Sequence, residues 1–219
     1  MTADRKQKYF IKSLYKGISV LQAFSTDKSI LTLTDIAKKT GMNITAVQRF
    51  TDTWMALGFL KRTEHKEFFL GPKVLTLGFS YLNGSQLRRL SEIYLTEFAT
   101  RINRNVNLGI LEEEHVVYLF RKETQSFIKS SLGAGSIMPC YCTAMGKVLL
   151  AGLNDKRLEQ IIDSVEMVKV TKHTITDQKL LWGELIETRK RGYSICDREL
   201  SLALYSVTPR EIVTLCFFR

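Results

Sequence analysis

Between residues 12 and 60 apolar side chains recur every three or four positions and then give way to short runs around a polar tip, which predicts helices followed by a hairpin. Leu14, Ile18, Leu21 and Phe24 predict a first helix with one buried stripe. In the next segment, LTLTDIAKKTGM, Thr32 and Asp35 have the spacing of a capping box, with Thr34 an equal alternative as the cap. That short helix carries Leu33, Ile36 and Ala37 inward, and Gly41 supplies the left-handed backbone that ends it and turns the chain. A second helix follows in NITAVQRFTDTWMALGFL, with Ile44, Val47, Phe50, Trp54 and Leu57 as its expected buried stripe. Phe59 and Leu60, a tip at Glu64, His65 and Lys66, and then Phe68, Phe69 and Leu70 predict a two-stranded wing.

Residues 72–84 lack the Pro- or Ser-rich composition of a flexible tether, and Leu75, Leu77, Phe79 and Leu82 predict a helical linker. Leu87, Leu90, Tyr94, Phe98 and Ile102 announce a longer helix. From Val106 the period changes: VNLGIL alternates, Glu112, Glu113 and Glu114 form a polar turn, HVVYLFR returns as a strand, and SFIKSSL is a further strand candidate. Helices are expected at about 144–152, 155–163 and 177–191. The fold class is therefore α+β: a winged helix-turn-helix over 1–71, a helical linker over 72–84 and a second α+β domain over 85–219.

Composition narrows the function. The 219 residues are 45% hydrophobic and 25% charged, enough to bury a sizeable core. The start, MTADRKQKYF, lacks the apolar run of a secretory signal, and no stretch approaches the length of a membrane span, so a soluble, cytoplasmic protein with no membrane partner is expected. Cys140, Cys142, Cys196 and Cys216 then read as reduced thiols, and neither their spacing nor the scattered His65, His115 and His173 suggests a metal site. No cofactor is implied, because Gly133 and Gly135 lack the βαβ context of a dinucleotide site. The net charge of +10 points to a polyanionic partner. Through residue 71 there are 12 Lys or Arg against 6 Asp or Glu, so the excess is concentrated in the helix-turn-helix.

The polar side of the second helix presents Thr45, Gln48, Arg49, Asp52 and Thr53. Gln and Arg can bond in pairs to adenine and guanine edges in the major groove, so Thr45, Gln48, Arg49 and Thr53 are candidate base-reading residues of a double-stranded DNA binder. Lys61, Arg62 and Lys66 on the wing are candidate phosphate contacts, whose effect is counterion release and register rather than sequence choice. Ordinary surface cations on a hairpin are the alternative.

The run TGMNITAVQRFTDTWMALGFLKRTEHKEFFLGPKVLTLG resembles the IclR family of bacterial transcriptional regulators. Two further blocks follow in the family's order, CTAMGKVLLAG at 142–152 and GYSICDRE at 192–199, and the resemblance spans roughly residues 10–207. Its wording from Ile44 to Leu60 is similar to the branch that governs catabolism of protocatechuate, 4-hydroxybenzoate and related aromatic acids. The resemblance implies a GAF-like effector domain behind the DNA-binding half, a small organic acid as effector, and a dimer formed through the DNA-binding half and the helix after it, with dimers often paired into tetramers. RNA polymerase is a further candidate partner. Activators and repressors both occur in the family.

By that resemblance the loop from Gly133 to Cys142 and the helix start after it line the effector pocket, making Met138, Cys142, Ala144, Met145 and Gly146 wall candidates, with Asp197 and Glu199 nearby. By residue type alone core packing is the favoured reading of the sulfur and apolar members, and the resemblance brings the pocket reading level with it. Asp197 and Glu199 sit two apart on an expected strand and so share a face, solvent-exposed by residue type or a general acid-base pair by chemistry. An enzyme using Cys142 or Cys140 as nucleophile is the competing class, but no His with a local partner supports it. After Val207 the closing strand and helix expected of the family are replaced by TPREIVTLCFFR, so an incomplete effector domain is expected, with a DNA-binding or dimerising remnant as the third reading.

Overall fold

The structure is a computed structural model that describes residues 9–124 and 132–209. The chain divides between Tyr81 and Leu82 into two compact units.

The first unit contains α1 (Lys12–Gln22), β1 (Ile30–Leu31), α2 (Leu33–Thr40), α3 (Ile44–Ala56), β2 (Leu60–Arg62) and β3 (Phe68–Leu70), the strands pairing antiparallel in the order β1-β3-β2. This is a winged helix-turn-helix. Its second helix starts on a complete capping box: the Thr32 hydroxyl accepts from the Asp35 amide at 3.1 Å, and the Asp35 carboxylate accepts from the Thr32 amide at 3.0 Å. It ends on Gly41 at φ 68°, where the chain turns into α3, capped by Asn43. The core is Val20, Ala23, Phe24, Leu31, Ile36, Val47, Leu60 and Phe68.

Two helical faces differ from expectation. On α1 the buried residues are Gly17 and Val20, while Leu14 is 59% exposed and Ile18 also faces outward. The Gly17 side of α1 is turned toward α3, where the Trp54 indole donates to the Gly17 carbonyl at 2.7 Å and Phe50 and Trp54 lie against the glycine. On α3 the buried residues are Val47 and Thr51, flanked by half-buried Phe50, Trp54 and Met55, and Ile44 and Leu57 are exposed. The edge strand β1, only two residues long, has no alternating pattern to announce it.

Residues Val74–Gly84 form α4, the expected helical linker, and it buries none of its residues, with Leu75 73% and Phe79 69% exposed.

The second unit contains α5 (Gln86–Ile102), β4 (Val106–Glu112), β5 (His115–Lys122), β6 (Ile137–Pro139), α6 (Ala144–Ala151), α7 (Asp155–Ser164), α8 (Gln178–Arg191), β7 (Tyr193–Asp197) and β8 (Tyr205–Pro209). Strands β4, β5 and β6 form one antiparallel sheet in that order, and β7 pairs with β8. Helix α5 covers one side of the sheet through Leu95, Ala99, Val106, Leu108, Leu119 and Phe120. The other side, with Val116 and Tyr118, packs against α6 and through it against Leu158, Ile161, Leu181, Leu185 and Cys196. Strand β4 is therefore covered on both faces at Val106–Gly109 rather than half-buried, and its register shifts at Leu108/Gly109, where a side chain on Gly109 would meet Met145.

The stripe expected on α5 is only half right. Leu87, Leu90 and Tyr94 are exposed, and the packed face is Leu95 and Ala99 with half-buried Phe98 and Ile102. The segment read as a loop before α6 contains β6, which pairs with β5 through Met138 and Val116. SFIKSSL, apart from Leu132, and the final residues REIVTLCFFR lie outside the described residues.

Candidate functional site

The DNA-reading candidates fall on one helix and one hairpin of the first unit. Thr45, Arg49 and Thr53 are exposed on α3 and Gln48 is half-buried. Two of the four are held by their own helix: the Gln48 amide donates to Asp52 at 2.7 Å and the Thr53 hydroxyl donates to the Arg49 carbonyl at 2.8 Å. Arg49 has no ion pair among the described residues, so its guanidinium is presented to solvent with its donors uncommitted. On the wing, Lys61 and Arg62 project from β2 opposite Phe69 and Phe68. Lys66 occupies the turn at φ 62°, a left-handed position that its backbone bond to the Thr63 carbonyl holds. All three cations are exposed.

In the second unit the effector candidates separate into two sets. Cys142, Ala144 and Met145 have no exposed surface and belong to the main core. Gly146 is buried, and a Cβ there would stand 2.1 Å from the Cys140 carbonyl oxygen, so only glycine lets the first turn of α6 lie on that backbone. Thr143 caps this turn by accepting from the Gly146 amide at 3.1 Å. Met138 is half-buried on β6.

Asp197 and Glu199 do not share a face, contrary to the strand-alternation reading. Strand β7 ends at Asp197, which is exposed and bonded to Arg198, and Arg198 at φ 60° reverses the chain so that Glu199 turns inward. Glu199 is 6% exposed and forms a buried ion pair with Lys147, itself 1% exposed. Burial pushes the Glu199 carboxyl above its usual value, opposed by Lys147 and by the Ile175 amide. This pair joins α6 to the β7–β8 turn across 52 residues of sequence.

Sequence reasoning missed Lys147, a charged residue within an otherwise apolar helix, and Tyr141, whose hydroxyl donates to the Val168 carbonyl at 2.8 Å and accepts from its amide at 3.1 Å. A lysine inside the apolar run MGKVLLA is the signal the sequence carries for Lys147. The cysteine-nucleophile reading loses its basis here: burial pushes the Cys140 and Cys142 thiols up to about 12, and the Cys196 thiol, also raised, donates to the Cys142 carbonyl at 3.2 Å. Among the described residues no three His, Cys, Asp or Glu side chains gather as a metal-ligand set, and no helix is long and apolar enough to cross a membrane.

Comparison with known proteins agrees with both units. The IclR helix-turn-helix domain matches residues 13–64, and the bacterial transcriptional regulator IclR C-terminal domain matches residues 79–209. The chain is 32% identical over 199 residues to the Pca regulon regulatory protein of Pseudomonas putida, covering 90% of this chain and 68% of that protein. It is 29% identical over 203 residues to the p-hydroxybenzoate hydroxylase transcriptional activator of Acinetobacter baylyi, covering 90% of this chain and 74% of that one. In fold it is similar to the crystal structure of an IclR homolog from Microbacterium hydrocarbonoxydans complexed with 4-hydroxybenzoate, with a TM-score of 0.75 at 20% identity over 94% of this chain and 88% of the other. A winged helix-turn-helix with the IclR reading helix, a helical linker and an effector domain built on the IclR pattern place this chain in the IclR family of DNA-binding bacterial transcriptional regulators, not among enzymes.

Proposed function

We propose that this regulator binds operator DNA as a dimer, in the cytoplasm, and changes its DNA binding or its action on RNA polymerase when an aromatic carboxylic acid occupies its second unit. The observation that carries the DNA half is the uncommitted Arg49 at the exposed centre of α3, flanked by Thr45, Gln48 and Thr53, with Lys61, Arg62 and Lys66 on the adjoining wing. Arg49 reads a base edge and the wing cations hold phosphates. The functional divisions are 1–71 for DNA, 72–84 for the linker and 85–219 for the effector.

A second copy of the chain is the natural cover for α4, an apolar helix with no buried residue, and for the outward Leu14 and Ile18 of α1. Pairing of such dimers into tetramers extends the same reading. The effector class is supported by two relatives, a Pca regulon regulatory protein and a p-hydroxybenzoate hydroxylase transcriptional activator, and by the 4-hydroxybenzoate complex of an IclR homolog of similar fold. In this chain we assign the effector to the neighbourhood of Met138, Cys142, Ala144, Met145, Gly146, Asp197 and Glu199, where α6 starts and β7 ends.

Thermal shift of the full chain against 4-hydroxybenzoate, protocatechuate and an aliphatic acid such as pyruvate, followed by footprinting on a selected operator with each, tests the proposal. Stabilisation by the aromatic acids with a changed footprint is expected. Equal response to all three, or to none, would overturn the aromatic assignment.

A further inference from the structure

Between α7 and α8 the chain runs from Val165 to Asp177 without helix or strand, yet it is tied down at both ends of the candidate effector region. At one end Val168 exchanges two hydrogen bonds with the Tyr141 hydroxyl, immediately before α6. At the other, Thr171 donates to the Arg198 carbonyl at 2.6 Å and Thr174 to the Glu199 carbonyl at 2.7 Å, while the Ile175 amide favours the Glu199 carboxylate. Glu199 is in turn paired with Lys147 on α6, so these bonds close a ring: α6, Tyr141, the segment, Glu199, Lys147 and back to α6. Val165, Met167 and Ile175 pack from this segment onto the core cluster that contains Cys142, Ala144, Met145 and Cys196.

That ring has a consequence for access. Cys142, Ala144 and Met145 have no exposed surface, so a ligand reaches them only after something covering them moves. The sheet and α8 are held by continuous backbone ladders and apolar packing. The segment has no backbone ladder: besides the packing of Val165, Met167 and Ile175 it is held by a few side-chain bonds, of which those at exposed Val168 and at the exposed Arg198 carbonyl can be replaced by water, while the Thr174 bond to Glu199 is buried.

We propose that residues 165–176 form a strap whose release from Tyr141 and Glu199 opens the amino end of α6 to ligand. The proposal rests on the effector site lying there, as assigned above, but the opening itself can be measured without a ligand. The buried cysteines are built-in reporters. Cys142 and Cys196 face the Glu199 turn, whereas Cys140 lies on the other side, its amide bonded to the Glu114 carbonyl at the β4–β5 turn. Strap release exposes the first two and leaves the third covered.

The test is iodoacetamide alkylation of the native full-length protein, read cysteine by cysteine by peptide mass spectrometry. Tyr141→Phe removes both bonds to Val168 and keeps the ring in the core; Thr174→Val keeps the shape and removes the bond to the Glu199 carbonyl together with the one the hydroxyl accepts from the Thr171 amide. In each variant Cys142 and Cys196 are expected to react about tenfold faster than in the parent, the factor that one to two net hydrogen bonds represent, with Cys140 unchanged. Equal acceleration of all three cysteines would mean global unfolding and would overturn the strap, as would no acceleration at all. Added 4-hydroxybenzoate provides the second arm. If it alters Cys142 and Cys196 relative to Cys140 in the parent, the ligand sits behind the strap; if it changes nothing while the variants behave as expected, the strap stands and the aromatic-effector reading fails.

Discussion

Replacing Lys147 by Met keeps the unbranched stem and removes the charge, which isolates the worth of the buried pair. With Lys147 1% and Glu199 6% exposed, neither partner can turn to bulk water without moving α6 or the β7–β8 turn. Removing one member of such a pair costs about 3–5 kcal/mol, because the other stays buried without its counter-charge. Glu199 has an escape in protonation. Burial already raises its pKa above the usual 4.5 against the pull of Lys147, and in the variant that opposition is gone. A carboxyl whose folded pKa lies above its unfolded one binds the proton more tightly when folded, so its penalty is smallest in acid and grows as pH rises through the folded value. Urea unfolding of Lys147→Met, followed by Trp182 emission in a Trp54→Phe background, should therefore show a larger deficit against the same parent at about pH 8 than at about pH 5. Lys147→Met combined with Glu199→Leu should regain most of the loss, since apolar replacement of a whole buried pair is often neutral or better. A deficit under about 1 kcal/mol at the higher pH, or a double variant no more stable than the single one, would refute the burial argument.

Arg49→Ala should cost about 1–3 kcal/mol on a cognate operator and little on random DNA in competition binding, and equal losses on both would make Arg49 a phosphate contact. Lys66→Ala should weaken binding to all sequences and lower the magnitude of the salt slope by about one unit, and an unchanged slope would place that lysine off the DNA. The Asp35 carboxyl is held below the usual carboxylate range chiefly by the Lys28 ammonium, then by the Thr32 amide and hydroxyl. Its folded pKa is depressed, so its contribution is complete above the ordinary value of 3.8 and fades as pH falls below it; Asp35→Asn should be less stable than the parent near neutrality, with the gap closing in acid, as judged by urea midpoints across that range.

What could be read from the chain was local chemistry. The Thr32–Asp35 cap, the Gly41 turn, the wing and the ends of α6, α7 and α8 each depend on residues within a few positions of one another, so their signals survive without knowledge of the partners. The three sequence blocks that resemble the IclR family likewise carried the class of function, and the match of both domains bears them out. The buried faces of α1, α3 and α5 were a different matter. Each helix carries two overlapping apolar stripes at helical spacing, and the choice between them is made by what lies opposite: Phe50 and Trp54 of α3 lie against the Gly17 side of α1, and the position of the sheet selects Leu95 and Ala99 on α5. Strand β6 exists because β5 offers it an edge, not because IMP alternates. Glu199 shows the limit most clearly: strand alternation sends it to the side of Asp197, but the left-handed Arg198 between them reverses the backbone, and Lys147, 52 residues earlier, gives the buried carboxylate its cation. A charge is affordable in a core only where its partner is already held in place, and tertiary packing alone brings those two residues together.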